Sequence, residues 1–451
     1  MLSAFANSFK IPELRKRILF TVGLIFVSRL VNSVPVPGVD GHALQMLFER
    51  MRNQVEGNFA VWFDLFSGGA LAQCAVGALS IWPYITAQIV LQLMTAVVPT
   101  LGKMMREEGE SGRQKFNQYT RYLTLVICVV QGFFLAVSLE NAQRLGLGDV
   151  ALVANPGWGF RLMTVAAMTT GTMLLMWLGE QITDRGIGNG ISMIIAVNIA
   201  SRIPNAIGQG INMFGAAGGG KFNIFHMIGF VGLIFAVTAA TIALTQGVRK
   251  VPIHTAKRVV ANKTYGGQNT YMPLRVNYAG VMPIIFAGAL LAFPIMFLNR
   301  LPQDWTWAHE IGSRLQYGEP MYLLVYGTMI LFFSYFWVAT QFSPPQIADD
   351  LKRNSSYVPG IRPGTPTAEF LDKSMTRITL IGALALTVIA VMPMLMMKAF
   401  SVPSLIASFM GGTSLLIVVG VMLDTMRQIE SHLLMRHYDG FLSKGRLRGR
   451  R

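Results

Sequence analysis

The first residues to test for chemistry are six histidines and two cysteines. His42, His226, His254, His309, His432 and His437 form no HExxH pair, and the interval between His432 and His437 is wrong for one helix face. Cys74 and Cys128 lie inside apolar stretches, where they suit packing better than a disulfide or a metal site. The string RGIGNG at Arg185 to Gly190 is glycine-rich, but no strand pattern precedes it and no GK[ST] follows. It reads as a tight turn that lets two helices approach. No catalytic constellation and no cofactor site emerge, so an enzyme is not expected.

The apolar stretches hold little charge. Arg29 and Asp424 lie toward their ends, and Glu180 and Asp184 fall in a turn. The polar residues that remain are Thr86, Gln88, Gln92, Gln131, Asn198 and Asn277. Ion-coupled transport usually needs intramembrane carboxylates, lysines or histidines. Uncharged polar groups suit a wet interface or a passage of low chemical selectivity, and also ordinary hydrogen bonding between helices.

The elements that must position these groups are set by hydropathy. Hydrophobic residues make up 52% of the chain and charged residues 13%, with a mean hydropathy of +0.47; soluble domains carry about 25% charged residues. Apolar runs near spanning length occur at Ile18 to Val36, Ala72 to Val98, Tyr122 to Leu139, Leu162 to Leu178 and Ile187 to Ile203. Five more follow at Ile224 to Leu244, Tyr278 to Leu298, Met321 to Thr340, Ile378 to Met397 and Val402 to Leu423. The first run ends in NSVPVPG without an Ala-x-Ala site, so it reads as a retained span.

Most of the 38 basic residues gather in alternate connections and at both ends, which puts both termini in the cytoplasm. Before the second span, Phe59 to Leu71 (FAVWFDLFSGGAL) is amphipathic and too short to cross, so it must fold back on the protein or lie at an interface. The span beside it is interrupted by Gly77 and Pro83. The glycine-rich segment 204–223 has the composition of a linker or hinge and divides the chain into 1–203 and 224–425, with a basic tail at 426–451. Pro83 in WPYI and Pro283 in MPII occupy similar places in the two halves. Halves with an odd number of spans must be inverted relative to one another if they are alike. Two long cytoplasmic loops protrude: 246–274 reads as a hairpin around Gly266 and Gly267, and 343–373 is punctuated by Pro and Gly.

With these strings in place, the chain resembles the SecY/Sec61-alpha family. The resemblance rests on FSGGAL with PYI, then PTLGKMMREEGESGRQKFNQYTRYLTL, GTMLLMWLGEQITDRGIGNGISMII, VNYAGVMPIIFA, YVPGIRPGTPTAEFLDK and FMGGTSLLIVVGVMLD. They run in family order from Phe66 to Asp424.

The resemblance implies an all-α polytopic membrane protein, with ten transmembrane helices in two inverted five-helix halves around a central pore. It implies a Sec translocon channel in the bacterial inner membrane that passes unfolded chains across or releases them sideways into lipid. A pore ring falls on Ile81, Ile85, Ile191, Ile195, Ile285 and Ile417; two of its pairs are four apart on one helix face, and a narrow apolar constriction resists ions by dewetting. The plug is Phe59 to Leu71, with Phe59, Trp62, Phe63, Leu65, Phe66, Gly68, Gly69 and Leu71 as its residues. Thr86, Gln92 and Asn277 are lateral-gate contacts. Arg249, Lys250, Lys257, Arg258 and Arg362 would dock the ribosome, rRNA included, or the SecA motor. Further implied partners are the small membrane subunits SecE and SecG, signal peptides and nascent chains. The residues alone also allow an inverted-repeat secondary transporter of a small solute, or a membrane scaffold presenting basic loops.

Overall fold

The computed structural model describes residues 11–53, 63–64, 66–107, 109–140, 152–214, 224–255, 258–260, 263–265, 269–298, 305–316, 318–400 and 413–444. They form two compact units, one drawn from Met1–Phe222 and Ile417–Arg451, the other from Asn223–Ser401 and Met410–Leu416.

The first unit holds α1 (Pro12–Val31), α2 (Gly41–Asn53), α3 (Trp82–Val97), α4 (Pro99–Glu107), α5 (Gly109–Glu140), α6 (Trp158–Arg185), α7 (Gly190–Ala200) and α8 (Ile203–Phe214). Its core joins Leu44, Leu47 and Phe48 of α2, the stretch from Leu71 to Leu79, and Phe160 and Met168 of α6. Missing side chains set how closely the chain can pack there. A Cβ on Gly171 would fall on the Val76 carbonyl, and one on Gly190 would fall on the Gly179 carbonyl. RGIGNG is thus a close-approach turn: Asn189 caps α7 by accepting from the Ser192 N–H at 3.1 Å, and Thr183 Oγ1 accepts from the Gly190 N–H at 2.9 Å.

The second expected span is helical only from Trp82. Gly68 to Ser80 is a buried run of turns, with Cys74 at φ +46° and Ser80 at φ +52°. Pro83 lacks an N–H and its ring excludes helix one turn earlier, so it starts a helix instead of interrupting one. Pro283 does the same at the head of α10 (Met282–Leu298). Non-helical backbone is tolerated at membrane depth where protein covers it. Here Val36 N donates to Cys74 O and Val76 N to Val34 O, each at 2.8 Å. The glycine-rich segment 204–223 also begins as helix α8, because Pro204 sits in the first turn and Ile203, Ile207 and Ile211 repeat every fourth residue along one exposed face.

The second unit holds α9 (Ile224–Gln246), a β-protrusion, α10, α11 (Thr306–Arg314), α12 (Pro320–Gln341), α13 (Pro344–Arg353) and α14 (Thr365–Phe400); α15 (Thr413–Lys444) follows. In the protrusion β1 (Val248–Thr255) pairs antiparallel with β4 (Asn269–Arg275), from Val248↔Arg275 to His254↔Asn269. Beyond them β2 (Arg258–Val260) pairs with β3 (Lys263–Tyr265). The antiparallel pairing of Val260 with Lys263 puts one chain reversal between β2 and β3; Gly266 and Gly267, the expected turn, lie outside the described residues. β5 (Ser356–Tyr357) adds to the other edge of β1. Val251 and Leu274 at the base are buried with Phe342, Leu371 and Met375, which fixes the protrusion to α12 and α14.

Among the described residues, five helices are long and apolar enough to cross a membrane: Gly109–Glu140, Trp158–Arg185, Gly190–Ile211, Pro320–Arg353 and Thr365–Met392. Val231–Gln246 and Met282–Leu291 are shorter apolar helices. α1 and α5 turn Leu19, Val22, Phe26, Leu125 and Val126 outward, as lipid-facing helices do. The chain is a multi-pass membrane protein of mostly helical structure.

Candidate functional site

In the first unit the chain entering α3 gathers most of the expected ring and plug residues. Phe63, Asp64, Phe66 and Ser67 lie in a short helical turn that ends at Gly68 and Gly69. Phe63 and Phe66 both pack on Trp82, with ring centroids 5.6 Å away in each case. Aromatic contacts of this edge and tilted kind contribute about 0.5–1.5 kcal/mol beyond area burial. Around them Ser67, Ser80, Ile81, Ile85 and Ile195 close a cavity of about 10 Å³, no larger than one water. The structure thus brings Ile81, Ile85 and Ile195 together against Phe63 and Phe66.

The other expected ring residues are each described within their own element. Ile191 is half-buried and sets its Cγ1 against Gly179 of α6. Ile285 is buried in the first turn of α10, and Ile417 is buried in α15. Of the expected plug residues, Gly68, Gly69 and Leu71 are buried, while Phe59, Trp62 and Leu65 lie outside the described residues.

Beneath the aromatic contacts is a polar network. Asp64 is 2% exposed, and its Oδ2 accepts from Arg202 Nη2 at 2.6 Å; its Oδ1 accepts from the Ala72 N–H at 2.9 Å. Asn198 of α7 is fully buried and donates its amide to Phe66 O at 3.1 Å and Ser80 Oγ at 3.3 Å. Its Oδ1 accepts from Arg29 Nη1 at 3.1 Å and Asn32 Nδ2 at 3.0 Å. Asn32 Nδ2 also donates to Ser67 O at 3.3 Å, and Arg29 Nη2 to Gly68 O at 3.4 Å. Buried polar groups are tolerated when paired in this way.

The glycine pair in FSGGAL makes the network possible. Gly68 has φ +67° and Gly69 φ +96°, a region other residues enter only under strain. A Cβ on Gly68 would fall on the Arg29 guanidinium, and one on Gly69 would fall on that of Arg202. Asp64, Arg202 and Trp82 were not legible as site residues. The one available signal was an acidic residue in an amphipathic segment otherwise poor in charge.

The expected gate residues behave differently from one another. Thr86 Oγ1 donates to Trp82 O of its own helix at 3.1 Å, as hydroxyls in helices often do. Gln92 Oε1 and Asn277 Nδ2 are each buried without a hydrogen-bond partner among the described residues.

On the loops, Arg249 and Lys250 are exposed at the root of β1. Arg258 pairs with Tyr265 in the distal hairpin, and Lys257 lies outside the described residues. Arg362 is exposed between Gly360 at φ +80° and Gly364 at φ +104°, and its carbonyl accepts from Thr367 Oγ1 at 2.8 Å. That bond holds the arginine's backbone at the start of α14.

Comparison with known proteins bears on the whole chain. The SecY family model matches residues 75–426. The chain is similar to the "Protein translocase subunit SecY" of Escherichia coli (strain K12), with 43% identity over 439 residues covering 97% of this chain and 96% of that protein. It is 41% identical to the protein of the same name from Chlamydia muridarum (strain MoPn / Nigg), with 98% of each chain covered. A solved structure described as "The structure of a protein conducting channel" matches with a TM-score of 0.63 at 17% identity, covering 92% of this chain and 91% of that one.

Proposed function

The chain belongs to the SecY family, and from that premise we propose that it is the channel subunit of a protein translocase, passing unfolded chains across the inner membrane and releasing apolar segments sideways into lipid. The observation that carries the reading is the closed seat of Phe63 and Phe66. They pack on Trp82 and share with Ile81, Ile85 and Ile195 a cavity no larger than one water. Such a seat is narrow, mostly apolar and unselective, which suits a passage that must exclude ions yet admit any sequence.

In this reading Phe59 to Leu71 is the plug, and Ile191, Ile285 and Ile417 complete the ring with Ile81, Ile85 and Ile195. The halves 1–203 and 224–425 are inverted five-helix repeats hinged through 204–223, with both termini in the cytoplasm. Thr86, Gln92 and Asn277 line the lateral gate; the unpaired amide atoms of Gln92 and Asn277 support this, since each costs about 1–3 kcal/mol until a partner is found. The exposed Arg249, Lys250 and Arg362, with Lys257 and Arg258, are docking contacts for the ribosome or the SecA motor, and SecE and SecG are the small membrane partners. The protein conducts and does not catalyse.

The test is site-specific cross-linking from Ile81 and Ile285 to a stalled secretory chain. Labelling from both positions is expected. A trapped chain that labels from neither removes the pore assignment.

A further inference from the structure

Apolar contacts explain why the seat of Phe63 and Phe66 is tight but not why the segment sits in one register. The hydrophobic effect is non-directional. Direction comes from the polar groups behind the aromatic face. The carbonyls of Phe66, Ser67 and Gly68 are each met by a donor, from Asn198, Asn32 and Arg29 in turn. The carboxylate of Asp64 is met by Arg202.

Asn198 lies in α7, the helix that also carries Ile195, and Arg202 lies in the turn that follows it; the first meets Phe66 and the second Asp64. The Arg202 side chain is 10% exposed and that of Asp64 2%. An ion pair shielded to this degree is strongly unfavourable to break by removing one partner, because the other charge stays buried. Gly69, which has no side chain, leaves the guanidinium room to reach its carboxylate.

We propose that Arg202 is a positioning residue that latches the plug through Asp64, with Asn198 as the fixed point against which the plug backbone registers. The proposal rests on the plug reading above. The latch holds the plug at rest, and an entering chain must separate Asp64 from Arg202 before the seat of Phe63 and Phe66 can empty. No other pair of opposite charges touches the plug among the described residues.

The test uses the full chain in lipid vesicles with Ser67→Cys as reporter, because Ser67 is fully buried beside Asp64. Cys74 and Cys128 are buried and serve as internal controls of folding. Asp64→Asn and Arg202→Gln are expected to speed labelling of the reporter by a water-soluble maleimide by at least about tenfold, a modest share of what removing one buried partner costs. The exchanged pair, Asp64→Arg with Arg202→Asp, is expected to slow labelling again, and Cys128 stays unreactive throughout. Arg202→Lys, which keeps the charge but loses the planar fork, is a milder variant and is expected to fall between.

Unchanged labelling in the single variants, or an exchanged pair no slower than either, overturns the latch. Ion conductance of the same vesicles tests the plug reading separately. If deleting 59–71 leaves conductance unchanged, the plug role falls whatever the labelling shows. If the deletion leaks while the single variants stay closed and unlabelled, the latch alone falls.

Discussion

Gly69→Ala isolates the link between the FSGGAL sequence and the polar network. Two costs follow from the structure. Alanine at φ +96° leaves its allowed backbone region, which costs about 1–2 kcal/mol. The new Cβ would also overlap Nη2, Cζ and Nε of Arg202, so the whole guanidinium must move. If it moves away from Asp64, the loss approaches that of breaking a buried pair, about 3–5 kcal/mol. The sum lies between about 1 and about 7 kcal/mol, with the backbone part as the floor. Labelling of a cysteine at position 67 reads this directly, since about 1.4 kcal/mol of easier opening gives tenfold faster reaction when opening precedes labelling. The decisive comparison is a double-mutant cycle with Arg202→Gln. Once Arg202 is shortened, Gly69→Ala is expected to retain the backbone cost and lose most of the remainder. Strictly additive effects would mean that Gly69 is required for its conformation alone, and the packing argument would be refuted.

Two further expectations concern other surfaces. Gly171→Ala would drive a Cβ into the Val76 backbone, and overpacking of this kind costs about 1–3 kcal/mol; a lower thermal midpoint of the purified protein in detergent checks it, and an unchanged midpoint would show that α6 can retreat from the turns before α3. Arg362→Glu, on an exposed loop and in none of the described ion pairs, is expected to impair motor-driven export more than membrane insertion while leaving the melting midpoint unchanged. Equal loss of both activities in reconstituted vesicles would count against a docking role.

How much of this was legible in the sequence depends on the distance over which each feature is determined. Long apolar runs such as Met321 to Thr340 became helices with boundaries close to those expected, because length and hydropathy settle a span locally. Ala72 to Val98 has the same hydropathy, but its first part is turns. Its backbone pairs with Val34 and Val36 some forty residues away, and no local pattern records such pairing. In segment 204–223 the glycines suggest a linker, yet over the described residues 204–214 isoleucines at fourfold spacing give α8 an apolar face. In the site, Ile81 and Ile85 could be found by their motif. Asp64 and Arg202, 138 positions apart, could not, because a lone arginine between spans reads as topology and a lone aspartate in a short segment reads as solubility.

On the proposed plug reading, the seat of Phe63 and Phe66 has to meet two demands that draw on different interactions. It must be tight enough to stop ions, and it must give way to chains of any sequence. Phe63, Phe66, Ile81, Ile85 and Ile195 meet the first demand by dispersion and area, which fall away gradually as surfaces part and favour no single register. Asp64 with Arg202, and Asn198 with the carbonyl of Phe66, depend on distance and angle, so they are lost within a small displacement. A seat built from apolar contacts alone would loosen progressively and leak before it opened. One built from the polar network alone would hold water beside its buried charges. Together they give a closed state that holds up to a threshold and is then lost at once. Arg202 lies in the turn directly after α7, which carries Ile195, so a shift of α7 acts on latch and seal together.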